Sequence, residues 1–65
     1  MSFADTLNRL MAEHGESGYR LAKELNVAQQ SVANWRHGWR IPHPKTREKI
    51  AAHYKITMGE LMGSE

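Results

Sequence analysis

Helix start and stop signals recur at short intervals along the sequence and divide it into short helical segments. Two pairs, Ser2 with Asp5 and Thr57 with Glu60, have the three-residue spacing of a capping box, in which each residue satisfies an amide group at the helix start. Three residues that suit the left-handed backbone of a helix end stand between the segments: Gly15, Asn26 and Gly38. No segment alternates apolar and polar residues as a strand does. The sequence therefore predicts an all-α fold, a compact bundle of four to five short helices.

Apolar residues at helical spacing place the helices between those signals. The first helix follows Ser2 and carries Phe3, Leu7, Leu10 and His14 on one face. The other helices are predicted at 18–25 with Ser17 as the cap, from about Ala28 to His37, from Pro44 onward and from Thr57 onward. The expected core of the second to fourth helices is Leu21, Ala22, Leu25, Val32, Trp35, Ile50, Ala51 and Tyr54.

The length and the missing cysteine limit what such a chain can be. A chain of 65 residues makes one small domain, 1–65, with a marginal core. The absence of cysteine excludes a disulfide framework and a thiolate metal site. No long apolar run suggests a membrane span, and no signal peptide is recognisable at the N-terminus. We therefore expect a cytoplasmic protein with no membrane partner.

Positive charge is concentrated in the middle of the chain. Residues 17–49 contain seven Lys and Arg against two Glu, whereas the remaining residues contain two basic side chains against five acidic ones. A basic centre between acidic ends favours a polyanionic partner such as nucleic acid, although an ordinary solvated surface also fits the charge alone.

The predicted third helix has two different faces. At about 100° per residue, Ala28, Ser31, Val32 and Trp35 share the side expected to pack inward. The opposite side carries Gln29, Gln30, Ala33, Asn34 and His37. The donor and acceptor of a Gln or Asn side chain match the N6 and N7 edge of adenine, and a small residue such as Ala33 can contact a thymine methyl group. Because this helix follows another after a short turn and has cations beside it, we prefer base reading to plain solvation.

Cations lie at the end of the third helix and beyond it along the sequence. They are expected to lie along a phosphate backbone and to fix the helix in register, and they are Arg36, Arg40, Lys45, Arg47 and Lys49. Ser17 and the amide groups at the start of the second helix offer a neutral phosphate site.

The run from Leu21 to Gly38, followed by Arg40 and Pro42, resembles the lambda-repressor-like family, which includes phage Cro and repressor proteins and many bacterial regulators. The resemblance covers about residues 3–62 and places a helix-turn-helix motif at about 17–38. It implies that Gln29, Gln30 and Asn34 read bases in the major groove, and Ala33 joins them as the candidate for contact with a thymine methyl group. It also implies phosphate contacts near Arg36, Arg40 and His43, to which we add Ser17, His37 and Lys45 as candidates. The resemblance further implies a prokaryotic or phage-infected host cell.

Family members usually bind operators as dimers, so the resemblance also implies a second copy of the chain as a partner. The expected dimer contact is Ile41, Pro42, Leu61 and Met62. The free protein could still be monomeric and pair only on DNA. Repression by occupying a promoter is the simplest expected action, because so short a chain has no room for an effector module.

Four positions depart from the family pattern. Asn26 replaces the usual turn glycine, which is tolerable because asparagine accepts the left-handed conformation. Ala28 replaces the usual Ser or Thr cap, which costs about 1 kcal/mol unless a staple between Val27 and Val32 offsets it. Gly18 stands where many relatives have a glutamine that supports a phosphate contact. Trp39 stands where relatives often have lysine; it could cover the end of the third helix, join a dimer contact or donate to a phosphate, and we favour the first.

Other functions are weaker alternatives. No nucleophile with a base, phosphate loop or carboxylate pair indicates an enzyme, and the four histidines lack metal-ligand spacing. We therefore expect no catalysis, cofactor, metal or small-molecule ligand. The main rival is a protein-interaction module of the same fold, such as an antitoxin or a co-regulator adaptor, although few residues follow the fifth helix to neutralise a toxin.

Overall fold

Five α-helices account for most of residues 2–62, the part of the chain that the computed structural model describes. They are α1 (Phe3–Glu13), α2 (Gly18–Leu25), α3 (Gln29–His37), α4 (Pro44–Tyr54) and α5 (Met58–Met62). The described residues contain no strand. The all-α prediction is confirmed, and the predicted helix limits agree with the structure to within about one residue.

Both predicted capping boxes form. The Ser2 hydroxyl accepts from the Asp5 amide at 3.2 Å, while the Ser2 amide donates to the Asp5 carboxylate. At α5, the Thr57 amide donates to Oε1 of Glu60 at 2.9 Å, and the Glu60 amide donates back to the Thr57 hydroxyl at 3.1 Å. Each box satisfies amide groups that the helix itself leaves without a partner.

Helices α2, α3 and α4 end on left-handed residues. Asn26 has φ 59° and ψ 47°, and the next amide, that of Val27, reaches back to the carbonyl of Ala22 at 2.9 Å. Gly38 ends α3 with φ 81°. The sequence did not indicate the stop at Lys55, which ends α4 with φ 58° although it is neither Gly nor Asn. Such a residue carries a steric cost that the surrounding fold must offset.

One hydrophobic core joins all five helices. Its buried apolar residues are Phe3, Leu7, Leu10, Met11, Leu21, Ala22, Leu25, Val32, Trp35, Ile50, Ala51, Tyr54 and Leu61. Helix α3 packs against α1 and α2, and α5 packs against α1 and α4. Every core residue predicted for α2, α3 and α4 is buried. No helix within residues 2–62 is long and apolar enough to cross a membrane.

His14 corrects one sequence expectation. It shares the helical spacing of the α1 core residues but is exposed, because α1 ends at Glu13 and His14 is only its C-cap. Its ring lies against Tyr54, with centroids 4.9 Å apart.

A cluster of three polar residues fixes the loop before α2. Oε1 of Glu16 accepts from the Tyr54 hydroxyl at 2.6 Å, and Oε2 pairs with Nε2 of His53 at 2.8 Å. Burial raises the pKa of Glu16, but the hydrogen bonds from Tyr54 and His53 outweigh it and hold that pKa below its usual value of 4.5. Burial and the bond to Glu16 raise the pKa of Tyr54 above its usual range. The cluster ties the residue next to Ser17, and hence the start of α2, to α4.

Candidate nucleic-acid interface

The turn between α2 and α3 is short because the left-handed backbone of Asn26 ends α2 and changes the direction of the chain. Only Asn26, Val27 and Ala28 separate the two helices. Val27 is half-buried against the core, and Val32 and Trp35 anchor α3 from its inner side. Ala28 is the N-cap of α3 and makes no side-chain cap bond. Two packed helices joined by three residues present the outer side of the second one to solvent.

The outer face of α3 is polar and uncharged over its first two turns. Gln29 and Gln30 are exposed, whereas Ala33 and Asn34 are half-buried. The predicted inner face is confirmed for Val32 and Trp35, and Ser31 is half-buried. Ala28 corrects it: this residue is exposed because it precedes the helix and does not continue the α3 spiral.

Two carboxamides of this face are joined to each other. Nε2 of Gln30 donates to Oδ1 of Asn34 at 3.0 Å, one turn further along the helix. Each side chain thereby orients the other, and Gln30 keeps one N–H and its oxygen for an external partner.

A groove on the α1 side of α3 brings two predicted phosphate-contacting residues beside Ala33. Its lining residues are Asn8, Ala33, Arg36 and His37. Nε of Arg36 donates to Oδ1 of Asn8 at 2.7 Å, and Nδ2 of Asn8 donates to the Arg36 carbonyl at 3.0 Å. No local sequence pattern indicated Asn8, because it lies 28 residues from Arg36 along the chain.

A second groove lies on the other side of α3. It brings Asn34 together with Arg40 and His43, both of which are exposed. Cationic or titratable side chains therefore border the polar face of α3 on both sides, which is the arrangement expected of a base-reading surface between two phosphate backbones. Lys45 is exposed at the start of α4 and lines neither groove.

Ser17 performs the capping role predicted for it. Its hydroxyl accepts from the Arg20 amide at 3.1 Å at the start of α2. A shallow groove beside it is lined by Ser17, Tyr19, Arg20, Lys23 and Glu24. Arg20 and Lys23 are exposed cations near Ser17 that were not predicted as phosphate contacts from the sequence. Their position in the basic middle of the chain could have indicated them.

Trp39 is largely exposed, at 68%, and its ring stacks on His37 with centroids 4.3 Å apart and planes 14° apart. It therefore covers His37 at the end of α3 without entering the core. The stack restricts the orientation of His37, the last residue of the outward face.

Two residues proposed for a dimer contact need correction. Leu61 is 0% exposed because α5 inserts it into the core, so it offers no surface to a second copy. Pro42 is buried as well. Ile41 is 61% exposed, and Met62 is half-buried against the core.

Three of the four histidines contact other side chains in the described part of the chain, and the fourth, His43, is exposed in the second groove. His53 pairs with Glu16, and His14 and His37 lie against aromatic rings. No group of three His, Asp or Glu side chains within residues 2–62 could hold a metal ion.

Comparison with known proteins supports the interpretation of α2 and α3 as a DNA-binding helix-turn-helix. The family model of the Cro/C1-type HTH DNA-binding domain matches residues 6–65. No protein with a curated description matches the chain.

Two solved structures superpose on nearly the whole chain. One is a transcriptional regulator from Listeria innocua, with a TM-score of 0.94 and 31% identity over 98% of this chain and 60% of that protein's chain. The chain therefore spans less than two thirds of the Listeria protein. The other is the SOS-response transcriptional repressor LexA from Eubacterium rectale, with a TM-score of 0.90 and 24% identity over 97% of this chain and 67% of that one. At that identity the second likeness shows the fold alone.

Proposed function

This chain belongs to the Cro/C1-type helix-turn-helix DNA-binding domain family, and we propose that it binds double-stranded operator DNA sequence-specifically with α3 in the major groove. One observation carries the proposal: the outer face of α3 is uncharged and polar, and basic or titratable side chains line the groove on each side of it. Base edges offer hydrogen-bonding groups on the floor of the major groove, and phosphates line its two walls.

Gln29, Gln30, Ala33 and Asn34 are the proposed base-reading residues. A carboxamide can pair with adenine through one donor and one acceptor, which discriminates against a wrong base by about 1–3 kcal/mol. Gln30 keeps both groups available after its bond to Asn34. The half-buried Ala33 leaves space for a base edge or a thymine methyl group to approach the helix.

The proposed phosphate contacts are Ser17, Arg36, His37, Arg40, His43 and Lys45. All six are exposed. Arg40 and His43 lie on the Asn34 side of α3, and Arg36 lies on the α1 side. Contacts of this kind supply most of the affinity and make it depend on salt, while the face of α3 supplies the sequence preference.

A dimer on the operator completes the proposal. One reading helix covers only a few base pairs, and a symmetric pair of helices would double the site. Of the four residues expected at the contact between copies, Ile41 is the most exposed, and Met62 is second because it is half-buried. We further propose that the protein regulates transcription by occupying its operator, as the name of the Listeria innocua neighbour suggests.

Selection of binding sites from random duplex DNA tests the function directly. We expect enrichment of a near-palindrome whose half-sites contain A·T pairs opposite the carboxamides. Fluorescence anisotropy with the selected duplex and a scrambled one then measures specificity at one salt concentration. Equal affinity for both duplexes would refute sequence-specific binding. A chain that binds another protein stably but binds neither duplex would favour the alternative function as a protein-interaction module.

A further inference from the structure

We propose that Asn8 is a positioning residue for DNA binding, which acts by holding the guanidinium of Arg36 at the edge of the reading face. This inference rests on the proposed function. The Asn8 side chain lies on α1 and would not be expected to touch bases, yet it makes two hydrogen bonds to one residue of α3.

The orientation of the Asn8 amide is fixed by its partners. The Nε–H of arginine can only donate and a backbone carbonyl can only accept. Oδ1 of Asn8 must therefore face Nε of Arg36, at 2.7 Å, and its Nδ2 must face the Arg36 carbonyl, at 3.0 Å. One side chain thus anchors both the main chain and the guanidinium of Arg36.

The hydrogen bond to Asn8 uses only Nε of the exposed Arg36 side chain. Nε is engaged, and neither terminal nitrogen has a hydrogen-bond partner among residues 2–62, so both remain for an external acceptor such as a phosphate. No carboxylate of residues 2–62 forms an ion pair with Arg36. The neutral Asn8 therefore orients the cation without cancelling its charge.

The position of Arg36 fits a phosphate contact. It follows Gln29 by seven residues, so that it lies about 20° from Gln29 around the helix, at the edge of the reading face. Nη1 of Arg36 lies 3.9 Å from the place that a Cβ on Gly18 would occupy. The Arg36 guanidinium therefore lies beside the start of α2, within ordinary van der Waals range of that position.

Asn8 also reduces the entropy lost on binding. An exposed arginine has several rotatable bonds, and ordering them opposes the gain from a contact. The hydrogen bond between Nε of Arg36 and Oδ1 of Asn8 imposes part of that order in the unbound protein. The alternative is that Asn8 only joins α1 to α3 and adds stability.

A double-mutant cycle separates these roles. The variants are Asn8→Ala, Arg36→Lys and the pair together, measured by anisotropy on the selected and the scrambled duplex well below the melting temperature of each. We expect Asn8→Ala to weaken binding to both duplexes about three- to tenfold. Arg36→Lys keeps the charge but lacks Nε–H, so it should weaken binding similarly. Asn8→Ala should then have less than about a twofold effect in the Arg36→Lys protein.

The control is Arg9→Gln with Glu13→Gln. This change removes an ion pair from the exposed surface of the same helix and leaves the net charge unaltered. Binding should stay within about twofold of the parent. Independent, multiplying effects of Asn8→Ala and Arg36→Lys would overturn the proposal, as would unchanged binding by Asn8→Ala.

A second measurement does not depend on DNA. By NMR, the Nε–H of Arg36 should exchange slowly with water in the parent and fast in Asn8→Ala. Fast exchange in the parent would overturn the positioning role. If the parent binds no duplex, the proposed function and the phosphate role of Arg36 fail together, while the NMR signal still reports whether Asn8 orders the guanidinium.

Discussion

The side-chain nitrogen Nε2 of Gln30 donates a hydrogen bond to Oδ1 of Asn34 at 3.0 Å, so two of the proposed base-reading residues form one hydrogen-bonded unit. If Gln30 reads a base in the orientation that Asn34 imposes, removal of either side chain disturbs the other. The two residues should therefore not contribute independently to specificity.

The first prediction is that Gln30→Ala and Asn34→Ala are non-additive. Gln30→Ala should weaken operator binding by about 1–3 kcal/mol and leave scrambled-duplex binding nearly unchanged. The double variant should lose less than the sum of the single losses, by at least about 0.5 kcal/mol. Gln29→Ala with Asn34→Ala is the matched control and should be additive. An additive Gln30 and Asn34 pair would show that the hydrogen bond does not persist on DNA.

The second prediction concerns Arg40 and Lys45, which are both exposed. Replacement of either by Ala should weaken binding to all duplexes alike, because a phosphate contact carries no sequence information. The slope of log affinity against log salt should flatten by about one unit for each. Arg9→Gln, on α1, should leave the slope unchanged. Salt-independent binding by the parent would exclude phosphate contacts as the source of affinity.

The third prediction compares the two tryptophans. Trp35 is 6% exposed in the core, so Trp35→Ala should cost about 3–5 kcal/mol, enough to unfold most of a domain this small. Trp39 is an exposed residue, and Trp39→Ala should change the free energy of unfolding by less than about 0.5 kcal/mol. Urea denaturation followed by circular dichroism measures both. Equal stability of Trp35→Ala and the parent would contradict the packing of α3.

The fourth prediction is a pH dependence of stability from Glu16. Its pKa is lower in the folded state than the ordinary 4.5, so its stabilising bonds are fully present above that pH and are lost as the pH falls through the folded-state pKa. Glu16→Gln should cost about 1.5–3 kcal/mol near neutral pH, since it removes a charged acceptor.

The difference in melting temperature between the parent and Glu16→Gln should shrink progressively below about pH 4.5. Glu13→Gln is the control, because Glu13 is exposed and pairs only with Arg9 among residues 2–62. A difference that stayed constant down to about pH 3 would remove Glu16 as the cause.

The fifth prediction concerns assembly on DNA. The operator should contain two half-sites about one helical turn apart, roughly 34 Å, and should bind two chains. Ile41→Asp should weaken operator binding and reduce cooperativity, with little effect on stability, since Ile41 is exposed. Analytical ultracentrifugation with labelled operator measures the stoichiometry. Saturation by one chain per operator would refute the dimer.

Features that depend on neighbours along the chain could be predicted from the sequence. The capping boxes at Ser2 and Thr57 and the stop at Gly38 each involve residues within about one helical turn, so local geometry alone determines them. The inner face of α3, with Val32 and Trp35, follows from helical periodicity in the same way.

Features that join distant segments were decided only by tertiary packing. Asn8 meets Arg36 across 28 residues, and Glu16 meets Tyr54 across 38, so no local pattern relates them. Leu61 has the apolar character of an interface residue, yet α5 folds back and fills the core with it. The sequence by itself determined the helices and the polar face that α3 carries. Tertiary structure decided which side chains hold that face in place, because such contacts exist only once the helices have packed.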